Sequence, residues 1–112
     1  MKKIEAIVRP SRLEDVKEAL LAINVDGITI TQVMGCGKQK GRKEFYRGSE
    51  LFLNVLPKVK LEIVVRDEDY DKTIRAIVDN ARTGEVGDGK IFVSTLDDAI
   101  RIRTGEQGET AV

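Results

Sequence analysis

The chain has no histidine, no tryptophan and a single cysteine, Cys36, among its 112 residues. Without histidine, it cannot form catalytic triads or metal sites that depend on imidazole. One cysteine forms neither an intrachain disulfide nor a thiolate zinc cluster. Because the amino terminus also lacks the pattern of a secretory leader, we expect a reducing, cytoplasmic location. We expect Cys36 itself to be a small, semi-buried residue, since no histidine is present to activate it.

An excess of charge of either sign is also lacking. The 19 basic and 19 acidic residues give a formal net charge of zero. This balance argues against the broad positive field of nucleic-acid-binding proteins, so we expect no nucleic-acid partner. No apolar run approaches the roughly 18 residues of a membrane span, so we expect no insertion into a membrane. The length predicts one domain, residues 1–112.

Periodic patterns predict the order βαβ, long loop, βαβ. Alternating apolar residues indicate strands, and apolar residues at helical intervals indicate two amphipathic helices. Ser11 lies three residues before Glu14, a capping-box spacing that we expect to start the first helix. The predicted strands span residues 2–9, 28–34, 58–66 and 91–95, and the predicted helices start near Ser11 and Asp67.

Two βαβ units combine most simply into a ferredoxin-like α+β fold. Four antiparallel strands would form one sheet, with both helices on one face. Apolar residues occur on both faces of the strands, as at Ile63 and Val64 or Ile91 and Phe92. We therefore expect other subunits to cover the second face.

The stretch from Gly35 to Asn54 has no sustained period and is rich in glycine and charge. A loop of that length in a small domain is usually functional or disordered. Phe45, Tyr46 and Phe52 lie in it, close to Arg47. Aromatic side chains beside an arginine are typical of protein-contact anchors, or they pack locally to hold the loop.

Three segments have the composition of anion sites. Residues 84–90 match the glycine and lysine spacing of a P-loop. However, Ile91 stands where that motif has Ser or Thr, and the segment follows a predicted helix, whereas a P-loop follows a strand. The segment either binds phosphate through backbone N–H groups or forms a helix cap and turn. Residues 35–43 combine glycine with positive charge. Arg101 and Arg103 would point the same way from an extended segment. For both of these the alternative is a solvated charged surface.

Three motifs occur together in this chain. They are residues 83–93 (TGEVGDGKIFV), Tyr46-Arg47-Gly48 ahead of the strand start Pro57-Lys58-Val59-Lys60, and residues 101–106 (RIRTGE). As a set they resemble the PII nitrogen-regulatory signalling proteins, over essentially the whole chain. The resemblance implies homotrimers of ferredoxin-like subunits that bind ATP or ADP competitively in clefts between subunits. It also implies binding of 2-oxoglutarate together with Mg-ATP.

Residue roles follow from the resemblance by position. Gly87, Asp88, Gly89 and Lys90 (phosphate loop 83–90) would hold phosphates, with Arg101 and Arg103 from the neighbouring subunit's C-terminal loop, 96–112. Ile7, Thr29, Glu62 and Val64 would line the adenine and ribose. The remaining implied nucleotide-binding residues are Gly35, Gly37, Lys38, Gln39 and Ile102. The implied 2-oxoglutarate residues are Gln39, Lys40, Gly41, Lys58 and Gly87, and Gln39 would complete the Mg²⁺ shell.

The long loop, residues 37–55, resembles the family's T-loop, which docks on target proteins. The implied targets are an ammonium channel or an enzyme or regulator of nitrogen metabolism, contacted through Tyr46, Arg47, Ser49 and Leu51. Many bacterial relatives carry a tyrosine at position 51 that is uridylylated or adenylylated. Leu51 makes that modification chemically impossible here, so we expect small-molecule sensing to carry the regulation.

The leading prediction is a non-catalytic sensor of ATP/ADP and 2-oxoglutarate. A nucleotide-hydrolysing enzyme using the same cleft is the alternative, although Lys90 lacks a following hydroxyl and no histidine base exists. A carboxylate could still orient water for slow ATP hydrolysis. An RNA-binding module on this fold needs exposed aromatics on the sheet, whereas Phe92 is the only aromatic in a predicted strand.

Overall fold

The structure is a computed structural model that describes the backbone of residues 1–37, 44–46, 49–51 and 54–112, and the side chains of residues 1–36 and 55–112. The elements are β1 (Lys2–Val8), α1 (Leu13–Ala22), β2 (Ile28–Gly37), β3 (Glu44–Tyr46), β4 (Ser49–Leu51), β5 (Asn54–Val65), α2 (Tyr70–Ala81) and β6 (Gly89–Thr95). Strands β2, β5, β1 and β6 form one antiparallel sheet in that order, and β3 pairs with β4 in a separate short sheet. The ferredoxin-like α+β prediction is confirmed.

Both helices pack on one face of the main sheet and bury it. Ile4 of β1 lies opposite Ile63 of β5, and Ala6 lies opposite Leu61, so side chains of one parity line up across the strands. Helix α1 contributes Val16 and Leu20 to this core. The fully or almost fully buried apolar residues are Ile4, Ala6, Val8, Val16, Leu20, Val25, Val59, Leu61, Ile63, Val65, Ile77 and Ala81.

The opposite side of the sheet, which we call the open face, carries the residues of the other parity. Its centre is charged: Lys3 pairs with Glu5 at 3.3 Å and Lys60 with Glu62 at 3.4 Å. Phe92 lies on it and is exposed. The expectation of an apolar second face is therefore only partly met, and its cover by other subunits stays a prediction. The open face also carries these residues that are predicted to bind ligand: Ile7, Thr29, Lys58, Glu62, Val64 and Lys90.

The prediction of a long stretch without period from 35 to 54 is partly wrong. Strand β2 continues to Gly37, which lies opposite Asn54 at the start of β5, and β3 and β4 pair between them. Each strand supplies the other with hydrogen-bond partners, and this pairing overrides the low strand preference of glycine.

Ser11 does not cap the first helix. Pro10–Arg12 form a 3-10 turn and α1 begins at Leu13 without a side-chain cap. The fixed φ of Pro10 favours this turn, and Arg12 N–H donates to the Arg9 carbonyl at 3.0 Å. A similar turn, Asp67–Asp69, precedes α2.

Cys36 is exposed, so the semi-buried prediction is wrong. Along β5 burial falls from Val59, which is buried, to Val55, which is exposed. Cys36 lies opposite Val55, and Gln32 lies opposite Val59. Cys36 is therefore four residues further along the strand, beyond the part of the sheet that the helices cover.

Candidate functional site

The loop between α2 and β6 has a backbone that requires glycine. Gly84, Gly87 and Gly89 have φ values of 89°, 98° and 108°, a region that other residues rarely adopt. At Gly89 a Cβ atom would lie 1.7 Å from the carbonyl oxygen of Ile7. Only glycine therefore lets the loop enter β6 against β1 in this way.

The carboxylate of Asp88 folds back and closes this loop. Its Oδ2 accepts hydrogen bonds from the N–H groups of Thr83 and Gly84 at 2.8 and 2.9 Å. Its Oδ1 accepts from the Thr83 hydroxyl and from Arg9 Nε, the latter at 3.1 Å. The Thr83 hydroxyl, with the backbone N–H groups and Arg9, holds the pKa of Asp88 well below its usual range.

Two cations from neighbouring strands bind carbonyl groups of the same loop. Arg9, just after β1, donates from Nη2 to the Val86 carbonyl at 2.8 Å. Lys58 of β5 donates from Nζ to the Gly87 carbonyl at 2.5 Å. Burial and the nearby Arg9 charge lower the pKa of Lys58, an effect that Asp88 opposes.

The N–H groups of Gly87 and Asp88 donate to no acceptor among the described residues. Backbone N–H groups without an acceptor favour the binding of an anion, because the fields of consecutive N–H dipoles add together. Lys90, exposed on the open face, adds a full positive charge beside them. The arrangement suits a phosphate-bearing ligand.

A second group of predicted residues lies elsewhere in the chain. Thr29, Glu62 and Val64 share a depression of about 470 Å³ with Arg101 of the same chain. Thr29 lies directly opposite Glu62 in the sheet. Ile7, predicted to join them, instead pairs with Lys90 beside the phosphate loop. The structure therefore divides the predicted adenine and ribose residues between two places.

A cavity of about 450 Å³ lies between α2 and β6 on the helix side. Asp88, Gly89 and Lys90 line it together with apolar residues such as Ile74 and Val93. Thr29, Glu62 and Val64 do not reach it. Three of the four residues predicted to line the adenine and ribose are absent from it, so this apolar groove does not account for the predicted nucleotide site.

The segment containing Arg101 and Arg103 was predicted to be extended. In the structure it instead forms a turn at residues 102–104. Gly105 N–H donates to the Arg101 carbonyl at 2.7 Å and Arg101 N–H donates to Glu106 at 2.9 Å. Gly105 has a φ of 73°, which permits this reversal. Ile102 is 99% exposed at the turn. The same-side argument from alternation therefore fails for this arginine pair.

Several predicted residues lie outside the described part of the chain. They are Lys38, Gln39, Lys40, Gly41 and Arg47. The backbones of Gly37, Tyr46, Ser49 and Leu51 belong to strands, but their side chains are outside the described residues. Gly35 lies in β2, where an added Cβ would be 3.2 Å from Lys58 Cγ.

Arg9 and Thr83 also contact Asp88. Thr83 belongs to the predicted phosphate loop, 83–90, but neither residue was predicted to hold the loop closed. Thr83 was visible as the residue just before the glycine-rich run. Arg9 precedes Pro10 at a strand end and belongs to no motif. Only the pairing of β1 with β5 and β6 brings it to the loop.

Comparison with known proteins identifies the family. A family model described as nitrogen regulatory protein P-II matches residues 1–106. The chain belongs to this P-II family. It is 56% identical to the nitrogen regulatory protein P-II of Haemophilus influenzae and 55% identical to that of Rhodobacter capsulatus, in both cases over 100% of each chain. It is 54% identical to nitrogen regulatory protein P-II 2 of Methanothermobacter thermautotrophicus, over 100% of this chain and 97% of that one.

Membership in the P-II family supports a signalling role in nitrogen regulation. Within the described ranges, no group of three or more histidine, cysteine, aspartate or glutamate residues is placed to hold a metal ion. None of the described helices has the length and apolar character needed to cross a membrane.

Proposed function

We propose that this P-II chain is a non-catalytic sensor of ATP or ADP and of 2-oxoglutarate. It would bind the nucleotide phosphates at residues 87–90 and report to a nitrogen-metabolism target, such as an ammonium channel, enzyme or regulator, through residues 37–55. The observation that carries the proposal is the pair of N–H groups at Gly87 and Asp88, which have no acceptor among the described residues and lie beside Lys90. A polyphosphate needs such converging donors and cations.

The position of the two groups of site residues supports a cleft between subunits. Lys90 lies on edge strand β6 and Thr29 on the opposite edge strand β2. Three strand spacings separate these edges, about 14 Å. A second copy whose β2 edge adjoins β6 would bring Thr29, Glu62, Val64 and Arg101 to the phosphate loop. Repetition of this head-to-tail contact with a rotation of one third of a turn would close a ring of three chains, as the proposed homotrimer requires.

Lys58 supports a link between the two ligands. The resemblance assigns it to a 2-oxoglutarate carboxylate, together with Gln39, Lys40, Gly41 and Gly87. Its ammonium group also contacts the Gly87 carbonyl, so one side chain connects the phosphate loop with β5 and the segment before it. Ligands at this point would bias the conformation of residues 37–55 by differential affinity. Mg²⁺ would be held by the phosphates and Gln39.

The alternative of nucleotide hydrolysis receives less support from the site. A carboxylate that orients water needs a free, basic oxygen within reach of the phosphate. The Asp88 carboxylate instead accepts four hydrogen bonds, and they lower its pKa. It is a poor base in this position.

Calorimetric titration with Mg-ATP and ADP tests the nucleotide site. We expect both to bind, and Lys90→Ala to weaken ATP binding by about tenfold or more through loss of a charged contact. Lys17→Ala, which removes a cation paired with Glu14 at 3.2 Å on α1, is the matched control. Near-normal ATP affinity in Lys90→Ala would remove the phosphate role of this residue. Native mass measurement should give three chains, and a stable monomer would overturn the cleft.

A further inference from the structure

We infer that Arg9 is a positioning residue of the phosphate loop, acting with Asp88 as a latch. The latch is the contact of Arg9 with the Asp88 carboxylate and the Val86 carbonyl. It turns the loop so that its N–H groups face the ligand. The consequence for affinity rests on the proposed function, whereas the conformational consequence stands without it.

Arg9 makes two contacts that fix the loop from β1. Its Nε donates to Asp88 Oδ1 at 3.1 Å and its Nη2 donates to the Val86 carbonyl at 2.8 Å. The planar guanidinium fixes these two donors relative to each other, so both contacts hold only one loop conformation. The side chains of Arg9 and Asp88 are 25% and 23% exposed, which shields the pair partly from water.

Peptide geometry explains how contacts to the loop carbonyls set the direction of the loop N–H groups. In a trans peptide the carbonyl and the following N–H point in opposite directions. Holding the Val86 carbonyl with Arg9 turns the Gly87 N–H away from the protein, and holding the Gly87 carbonyl with Lys58 does the same for the Asp88 N–H. Neither of these N–H groups has an acceptor among the described residues.

The same contacts separate the roles of Arg9 and Asp88 from those of phosphate ligands. The Arg9 donors that reach the loop are already engaged, and Asp88 neutralises its charge. A carboxylate would also repel a phosphate rather than bind it. The side chain of Asp88 therefore shapes the loop, and only its backbone N–H remains to contact the anion.

The first test measures the ligand-free protein. Backbone order parameters from ¹⁵N relaxation should fall at Gly87 and Asp88 in Arg9→Ala, toward the value of about 0.6 that marks flexible backbone. They should stay unchanged in α2. Arg12→Ala is the matched control, because it breaks an arginine–aspartate pair, with Asp15 at 3.4 Å, that does not touch the loop. Unchanged order parameters at Gly87 and Asp88 in Arg9→Ala would overturn the latch.

The second test measures affinity for ATP and for adenosine, which lacks phosphates. Arg9→Ala should weaken ATP about tenfold, the size expected for a charged hydrogen bond, and leave adenosine unchanged. Arg9→Lys should recover only part of the loss, since one ammonium does not reproduce the two-point contact. An equal loss for both ligands would indicate a general structural defect and contradict the latch.

A double-mutant cycle distinguishes positioning from direct attraction of phosphate. If Arg9 acts through Asp88, Arg9→Ala should cost much less ATP affinity in an Asp88→Asn background than in the wild type. Additive losses would show that Arg9 does not act through Asp88 and would overturn the latch as a device of these two residues. If the wild type binds no ATP, the proposed function fails, and the order parameters alone decide the latch.

Discussion

The two faces of the main sheet share the same four strands but have different roles, since one forms the core and the other carries charged and predicted ligand-binding residues. The helix side buries apolar residues such as Ile4, Leu61 and Ile63 almost completely. The open face carries paired charges and strand residues that are predicted to bind ligand, such as Thr29, Glu62 and Lys90. Because strand residues alternate between faces, neighbours such as Ile63 and Val64 belong to different tasks.

This division explains how a small chain keeps its stability while its ligand contacts stay accessible. Burial of apolar area on one face is the main favourable term in folding. The open face contributes ion pairs that are about one-third exposed, such as Lys60 with Glu62, and such pairs contribute little stability. Substitutions on the two faces should therefore differ in kind as well as in size.

The largest loss of stability should come from a substitution at Gly89, where β6 begins against β1. Gly89→Ala places a Cβ atom 1.7 Å from the Ile7 carbonyl oxygen at a φ of 108°. The start of β6 must move, so we expect a loss of about 3 kcal/mol or more in the free energy of unfolding, with loss of ATP binding. Urea denaturation and calorimetry measure these effects.

Gly84→Ala is the control for the Gly89 variant. Its φ is 89°, but nothing lies within 4 Å of the added Cβ. We expect a cost of about 1–2 kcal/mol from the backbone alone. Equal costs at the two glycines would contradict the importance of the close approach to β1.

Adjacent substitutions in β5 compare the faces directly. Ile63→Ala leaves a cavity in the core and should cost about 2–5 kcal/mol in the free energy of unfolding. Val64→Ala should cost below about 1 kcal/mol and should instead weaken nucleotide binding. Denaturation and ATP titration of both variants check this. Similar stability losses would break the division between faces.

The smallest effect should appear as a pH dependence at Asp88. Its pKa is lower in the folded chain than the usual value of about 3.9, so its contribution to stability is present above about pH 4 and is lost as the pH falls. Asp88→Asn lacks this titration. The difference in free energy of unfolding between wild type and Asp88→Asn should shrink between pH 6 and pH 2.5. A difference independent of pH would contradict the hydrogen-bonded carboxylate.

The sequence predicted the architecture because its periodicities are strong. Alternation at residues 58–66 and the stripe of Ile74, Ile77 and Ala81 depend on burial, which local patterns record directly. The glycine-rich run at 84–89 predicted either an anion site or a helix cap and turn. The structure shows the positive φ values and the close approach that require glycine, and anion binding stays a prediction.

Other features depend on partners that are distant in sequence. The latch joins Arg9 with Asp88, 79 positions away, through strand pairing. Strand β2 continues past Gly35 to Gly37, and β5 begins before Pro57, at Asn54. Each extension depends on the other strand as its hydrogen-bonding neighbour. The turn at 102–104 was missed because Ile100, Arg101, Ile102 and Arg103 alternate as a strand would, although Gly105 reverses the chain.

Titration of 2-oxoglutarate into the protein by calorimetry, with Mg-ATP and again without it, tests the proposed sensor most directly. We expect binding only when Mg-ATP is present, because Lys58 and the phosphate loop would serve both ligands. Gln39→Ala should abolish this binding and spare much of the ATP affinity. Absence of 2-oxoglutarate binding in both titrations, with ATP still bound, would contradict the coupled sensor and leave a protein that senses adenine nucleotides alone.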